Sequence, residues 1–437
     1  MRKAFIASLT CLLHVYIHAQ TTADSLPTEV NLKQAVEFSL THQPVIQQSL
    51  VDQQITEANI RSRLADWYPQ INLHYNLQHN FVVQTAVIAG NKLKLGTDNT
   101  SAAQFTVSQT LFDRDVLLAS STRNTVRRQA LQNTSNNKIE IAAAVSKAFY
   151  DVLASEQQIK VSTENINRIQ RSLKDAYSQY QAGVADKTDY KRATIGLNNA
   201  TALKKTNEEA LKAKLSYLKS LMGYPDSVNL KIQYDSLEME KEVYFDTTQT
   251  VDVTKRIEYK LLETQRSLLA ANLRYNKWSF LPSLTANGAY NFNYQNNAFK
   301  DLYKENFPNS FAALSLNFPI FQGGKRRADI QAAEWEITRN NLDIINLRNN
   351  VNSEFSAAMA GYKSNLANFI ALKENLALAN EVYDVIQLQY RSGIKTYLEV
   401  INSETDLRTA QINYYNSLYN LLASKIDVQK ALGQINY

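Results

Sequence analysis

The chain of 437 residues has one cysteine, Cys11, so no disulfide framework and no CxxC chemistry can be built from it. Glycine (11) and proline (7) are scarce, which favours long uninterrupted elements over many short, tightly turned ones. No stretch beyond the N-terminal region is long and apolar enough for a membrane-spanning helix, so any part that enters a bilayer does so as strands. Charge of one sign is not in excess either. The formal charge of +6 is small for this length, and Lys and Arg are interspersed with acids rather than clustered, which argues against nucleic-acid binding. Histidine is nearly absent beyond residue 20: His42, His74 and His79 remain. His74 and His79 are an odd number of residues apart on a strand pattern and point to opposite faces, a poor metal pair. No HExxH or nucleophile motif occurs, and Gly323-Gly324-Lys325 lacks the rest of a phosphate loop. The expectation is no catalytic residue, no metal site and no cofactor.

What is present is apolar residues (44%), abundant tyrosine (24) and strong patterning. Residues 1–20 have the form of a secretory signal: Arg2 and Lys3, an apolar run, and Ala19-Gln20 as a cleavage region. Two alternatives are an uncleaved anchor and, from Ser8-Leu9-Thr10-Cys11, a lipoprotein processing site.

The remainder is duplicated at an offset of about 210 residues. Tyr180-Gln181-Ala182-Gly183-Val184 matches Tyr390-Arg391-Ser392-Gly393-Ile394, and Leu221-Met222-Gly223 matches Ala431-Leu432-Gly433. Trp67-Tyr68-Pro69 matches Phe280-Leu281-Pro282. Each unit gives a helix, two strands, a very long helix and a returning helix. The first unit is 21–223, with strands about 69–81 and 103–112, a long helix about 114–181 and a return about 188–222. Residues 224–250, rich in acids, form a solvated linker or equatorial segment. The second unit is 251–437, with strands about 282–295 and 311–321, a long helix about 325–391 and a return about 396–432. Each long helix spans on the order of 100 Å at 1.5 Å per residue.

The long helices carry a 3.5-residue seam, the mark of left-handed coiled-coil packing. In the first it runs Val152, Ile159, Ile166, Ile169, Leu173, Ala176 and Tyr180. In the second it runs Phe369, Leu372, Leu376, Ala379, Tyr383, Ile386 and Tyr390. The strands alternate apolar and aromatic residues with uncharged amides and hydroxyls. Ile71, Leu73, Tyr75 and Leu77 alternate with Asn72, His74, Asn76 and Gln78. That is the pattern of a barrel strand with lipid outside and water inside. Trp67, Tyr68, Trp278 and Phe280 fall at helix-to-strand junctions, where an interfacial aromatic girdle sits. Four strands cannot close a barrel, and open edges are not tolerated in lipid, so several copies must contribute. The strand count does not give their number. A periplasmic coiled-coil adaptor or structural protein is the competing reading.

The duplicated order, the paired Tyr-x-x-Gly tips and the Leu-Met-Gly and Ala-Leu-Gly helix ends make the chain resemble the TolC family of outer-membrane efflux proteins, from about Asn31 to Gly433. The resemblance implies a mainly α fold with membrane β-strands: a homotrimer with a shared twelve-stranded β-barrel in the outer membrane and a periplasmic α-barrel. It implies a passive exit duct of a tripartite efflux or type I secretion system, working with a periplasmic adaptor and an inner-membrane transporter. It places adaptor docking at the tips, around Gly183, Val184, Gly393 and Ile394. It matches an entrance latch to Asp189, Tyr390 and Lys395, with Lys395 standing where Arg is usual. It matches an entrance constriction to Glu399, with Asn402 in place of a second acid.

Overall fold

A computed structural model describes residues 27–435 apart from Ala185 and Asp235. The signal-like segment and Cys11 lie outside the described residues. In chain order the first unit is β1 (Glu29–Val30), α1 (Leu32–His42), α2 (Pro44–Ala65), β2 (Gln70–His79), β3 (Thr85–Ile88), β4 (Asn91–Lys94), β5 (Asn99–Phe112), α3 (Arg114–Gln181) and α4 (Lys187–Met222). Then follow β6 (Lys231–Ile232) and α5 (Ser236–Glu242). The second unit is α6 (Ile257–Lys277), β7 (Ser283–Asn296), β8 (Asn309–Asn317), α7 (Lys325–Arg391) and α8 (Tyr397–Ala431).

Local chemistry sets these boundaries. Asn31 and Gln34 form a reciprocal capping box at the start of α1. Pro44 restarts the helix at its first position after an extended Gln43, which puts a bend between α1 and α2. Asp113 and Asp186 accept the free N–H groups of Asp115 and Thr188, both at 2.7 Å. The long helices stop at a left-handed glycine. Gly183 has φ 75°, and the Val184 N–H reaches back to the Gln179 carbonyl at 3.0 Å. Gly393 repeats this, with the Ile394 N–H on the Gln389 carbonyl.

The 68-residue α3 and 67-residue α7 each fold back on their return helix, giving two antiparallel hairpins. In α7 the seam falls as expected: Phe369 and Tyr390 are buried and the intervening seam positions half-buried. In α3 it holds at Val152, Ile169 and Ala176 and is displaced elsewhere. Ser155, Ser162, Asn165, Ile169, Ser172 and Ala176 are buried, whereas Ile159, Ile166 and Leu173 are half-buried and Tyr180 is exposed. The cause is that α3 packs against α4, α6 and α8 as well as α1 and α2, so small and polar side chains fill its close contacts.

Midway along the helices lies the main core, with Phe149, Leu153, Leu218, Met222, Tyr362, Leu418 and Leu422 nearly inaccessible. The 224–250 segment is part of it, which corrects the picture of a solvated connector. Here β6 pairs in parallel with β1, and Leu230, Ile232, Met239 and Val243 are buried. The Tyr362 hydroxyl donates to the Val243 carbonyl at 2.7 Å. Burying four such side chains contributes on the order of 6–10 kcal/mol, enough to fix the segment to the helices.

Strands β2, β5, β7 and β8 form one antiparallel sheet in that order. Register puts Ile71 beside Val107 and Gly288, and Leu73 beside Phe105 and Tyr290, so one face is mainly apolar, interrupted by Ser101, Gln109 and Ser310. That face is bare in the single chain: Ile71 is 72% exposed and Leu314 71%. The opposite face is a ladder of amides and hydroxyls, with Asn287 Nδ2 on Ser315 Oγ at 3.2 Å. The outer strands β2 and β8 have no partner beyond the sheet among the described residues. β5 starts four residues before the alternation is legible, and β8 ends before Pro319, which cannot donate to a ladder. The loop after β2 holds a second hairpin, β3–β4, turned by Ala89 and Gly90 at positive φ.

Gly223 separates two costs. Its φ is 69°, and an added Cβ would lie 2.5 Å from the His42 carbonyl oxygen. At Gly183 an added Cβ would meet nothing within 4 Å. We expect Gly183→Ala to cost about 1 kcal/mol, from the left-handed backbone alone. Gly223→Ala should cost about 3 kcal/mol or more, because the α1–α2 bend must also move. Thermal melting followed by circular dichroism checks the order; equal losses would contradict it.

Candidate functional site

The two hairpin tips lie side by side and enclose a cleft of about 520 Å³ lined by Gln179, Asp189, Arg192, Tyr390, Lys395 and Tyr397. Below it a small apolar plug joins the hairpins: Ala193 from α4, Tyr390 from α7, Tyr397 and Val400 from α8, with Leu173 of α3 against them. Tyr390 is therefore both core and contact. Its ring lies 5.9 Å from that of Tyr397, and its hydroxyl donates to Gln179 Oε1 at 3.1 Å, a bond from the second hairpin to the first. Burial, then the nearby Asp189 charge, push the Tyr390 hydroxyl above its ordinary range, so it stays a donor at neutral pH.

Lys395 is placed differently from the latch geometry. It precedes α8, and its Nζ lies 2.6 Å from Glu399 Oε1 in the first turn of that helix. Glu399 also accepts from the Thr396 N–H at 2.9 Å, completing a capping box at the start of α8. The Lys395 hydrogen bond, then the Thr396 backbone bond, hold the Glu399 carboxyl below its usual range. Asp189 sits in the first turn of α4 and reaches Tyr390 and Tyr397 only through its field. The structure thus brings Tyr390, Asp189 and Lys395 to one cleft, and within the chain it pairs Lys395 with Glu399 instead of Asp189. Asn402 is exposed on the same helix. At the apex, Gly183, Val184, Gly393 and Ile394 are exposed, with Val184 at 79% and Ile394 at 71%.

Two contacts escape the sequence reading. One is Gln179, the partner of Tyr390. The other is a buried pair further up the hairpins, Glu404 of α8 and Arg168 of α3, with Nε and Oε1 3.7 Å apart. Its signal was available: Tyr397, Val400, Glu404, Leu407, Gln411 and Tyr414 recur at three and four, so an acid stands in a seam position. At the other end of the helices, Trp67, Tyr68 and Phe280 are exposed and Trp278 half-buried, all flanking the first residues of β2 and β7. Among the described residues no cluster of His, Cys, Asp and Glu is arranged to hold a metal. No helix there is long and apolar enough to cross a membrane.

Comparison with known proteins gives the same architecture. TolC of Vibrio cholerae is 20% identical over 345 residues, covering 77% of each chain. TolC of Escherichia coli K12 is 19% identical over 426 residues, covering 94% of this chain and 84% of that one. The solved structure of the Campylobacter jejuni CmeC outer membrane channel superposes with a TM-score of 0.74 at 13% identity, covering 92% of this chain and 85% of that one. The family model described as outer membrane efflux protein matches residues 36–224 and 260–434, both units of the duplication. The chain belongs to the outer membrane efflux protein family, the family of TolC.

Proposed function

We propose that this protein is the outer-membrane exit duct of a tripartite efflux or type I secretion system, assembled as a homotrimer. The observation that carries the reading is the four-stranded sheet. It has a mainly apolar outer face, a polar inner face and two edges unpaired among the described residues, and it runs into hairpins whose lead helices are 68 and 67 residues long. In lipid such edges must be paired, and β8 of one copy against β2 of the next does so without any new element. Three chains of four strands then give twelve. The hairpins extend the tunnel through the periplasm. The duct does no chemistry; energy comes from an inner-membrane transporter, and a periplasmic adaptor docks on the exposed apexes at Gly183, Val184, Gly393 and Ile394. Trp67, Tyr68, Trp278 and Phe280 lie in the membrane interface. Asp189, Tyr390 and Lys395 hold the entrance shut, with Glu399 and Asn402 lining its narrowest level. Because Lys395 is on Glu399 within the chain, a bond to Asp189 comes from a neighbouring copy or after Lys395 lets go.

Full-length protein extracted from outer membranes and added to planar bilayers should insert as discrete conducting units. Absence of conductance from protein that remains soluble without detergent would favour a periplasmic coiled-coil adaptor. Once conductance is in hand, Tyr390→Phe and Gln179→Leu should each raise the open fraction about fivefold, the equivalent of one hydrogen bond of about 1 kcal/mol. The double variant should add little to either. Additive effects would mean the two side chains act separately.

A further inference from the structure

The Arg168–Glu404 contact is an ion pair that is buried but not completed. The Arg168 and Glu404 side chains are 15% and 7% exposed. Arg168 Nε and Glu404 Oε1, 3.7 Å apart, both lack a hydrogen-bond partner among the described residues. The guanidinium is held elsewhere: Nη2 donates to Gln411 Oε1 at 3.4 Å, and its carbon lies 5.9 Å from the Tyr383 ring centroid. The pair stands where α3 of the first hairpin meets α8 of the second, with Tyr383 of α7 alongside. An ionised carboxylate here has lost its water without gaining a full bidentate partner, and that is costly. A neutral carboxyl has no such penalty.

We propose that Arg168 and Glu404 form a proton-controlled clasp between the two hairpins: protonation of Glu404 seals the α3–α8 junction, and its ionisation loosens it. The inference rests on the duct reading, in which parting of the hairpins opens the entrance. Burial, opposed first by Arg168 and then by Arg408, pushes the Glu404 carboxyl up to about 7, against an ordinary 4.5. The sealed junction therefore holds a proton that an open, hydrated one has already lost. Sealing is favoured as pH falls through 7 and weakened as pH rises above it. The other groups facing the carboxyl do not titrate in this window. Tyr383 from α7 and Tyr397 from α8 are both pushed further up by burial, and Arg168 and Arg408 remain cationic. Asp384 and Arg391 lie beyond Tyr383 and act on it from α7. Glu399 is held low and stays ionised throughout.

The test compares wild type, Glu404→Gln and Arg168→Gln in planar bilayers at pH 5.5 and pH 8. Wild type should have an open fraction on the order of tenfold higher at pH 8. Glu404→Gln, a neutral side chain of the same shape, should stay near the acid level at both. Arg168→Gln should move the transition to higher pH, because the charge that favours ionisation is gone. A wild-type profile retained in Glu404→Gln, or one running the other way, overturns the clasp. The second readout does not need a channel. With Cys11 replaced by Ser, spin labels at Lys174→Cys on α3 and Thr405→Cys on α8, both exposed, report the junction in detergent. Their separation should grow as pH rises and should not change with pH when Glu404→Gln is added. A pH-independent separation in otherwise wild-type protein overturns the clasp. Absent conductance with a pH-dependent separation would count against the duct and leave the clasp standing.

Discussion

Strands β2 and β8 each present a row of backbone N–H and C=O groups with no partner among the described residues, on a sheet whose outer face is mainly Ile, Leu, Tyr and Phe. Water cannot satisfy that edge where the face beside it requires lipid. Closure through further copies, as proposed above, meets both demands. The single chain is thus an arc of a wall, and the rest of its design follows from being one. The narrow seam of α7 leaves much of that helix polar, as suits a helix with one side against a neighbour and another against water. Ile370, Leu378, Val382, Val385 and Leu388 remain uncovered along α7, the helix that follows the β8 edge.

The duplication supplies two arcs per chain and a shared anchor for them. Both returning helices end against the entry of a lead helix. Gly223 abuts the His42–Gln43 bend, and Gly433 abuts Lys255 and Arg256. In the second unit Arg256 also caps the helix end: its Nη1 donates to the Lys430 and Ala431 carbonyls, while Glu258 and Glu354 neutralise it. That guanidinium is buried with its donors largely spoken for, unlike Arg168. The contrast separates a cation whose donors are satisfied at the middle of the helices from one left incomplete nearer the tips. Burial is concentrated midway along the helices, with the Tyr362–Val243 bond and the β1–β6 pair, while the tips are held by a small apolar plug and a few polar contacts.

Much of this was legible because it is local. Pro44, Pro69, Pro282 and the four helix-ending glycines mark boundaries through their own backbone preferences. The period-2 alternation of β2 and β7 is imposed by the pleat, and the α7 seam chiefly by its packing on α8. What was not legible depends on more distant neighbours. The α3 seam is displaced because several helices crowd it, and apolarity alone picks Ile159 and Ile166 over Ser162 and Asn165. The 224–250 segment looked solvated from its acids, although Leu230, Ile232, Met239 and Val243 carry the packing. β3–β4 is a hairpin turned by Ala-Gly, without the Asn-Gly or Asp-Gly that usually announces one. At the tips the residues Asp189, Tyr390, Lys395 and Glu399 were identifiable, but not that Lys395 turns to Glu399 or that Tyr390 bonds Gln179. Glu404 is an acid in a seam position, which a periodicity weighted on apolar residues does not register.

Closure of the sheet edges on other copies of the same chain is read out by the native mass of the protein extracted from outer membranes in mild detergent, with the bound detergent subtracted. A mass of three chains, resistant to salt, is expected. A single chain, released from membranes by salt alone, would contradict it.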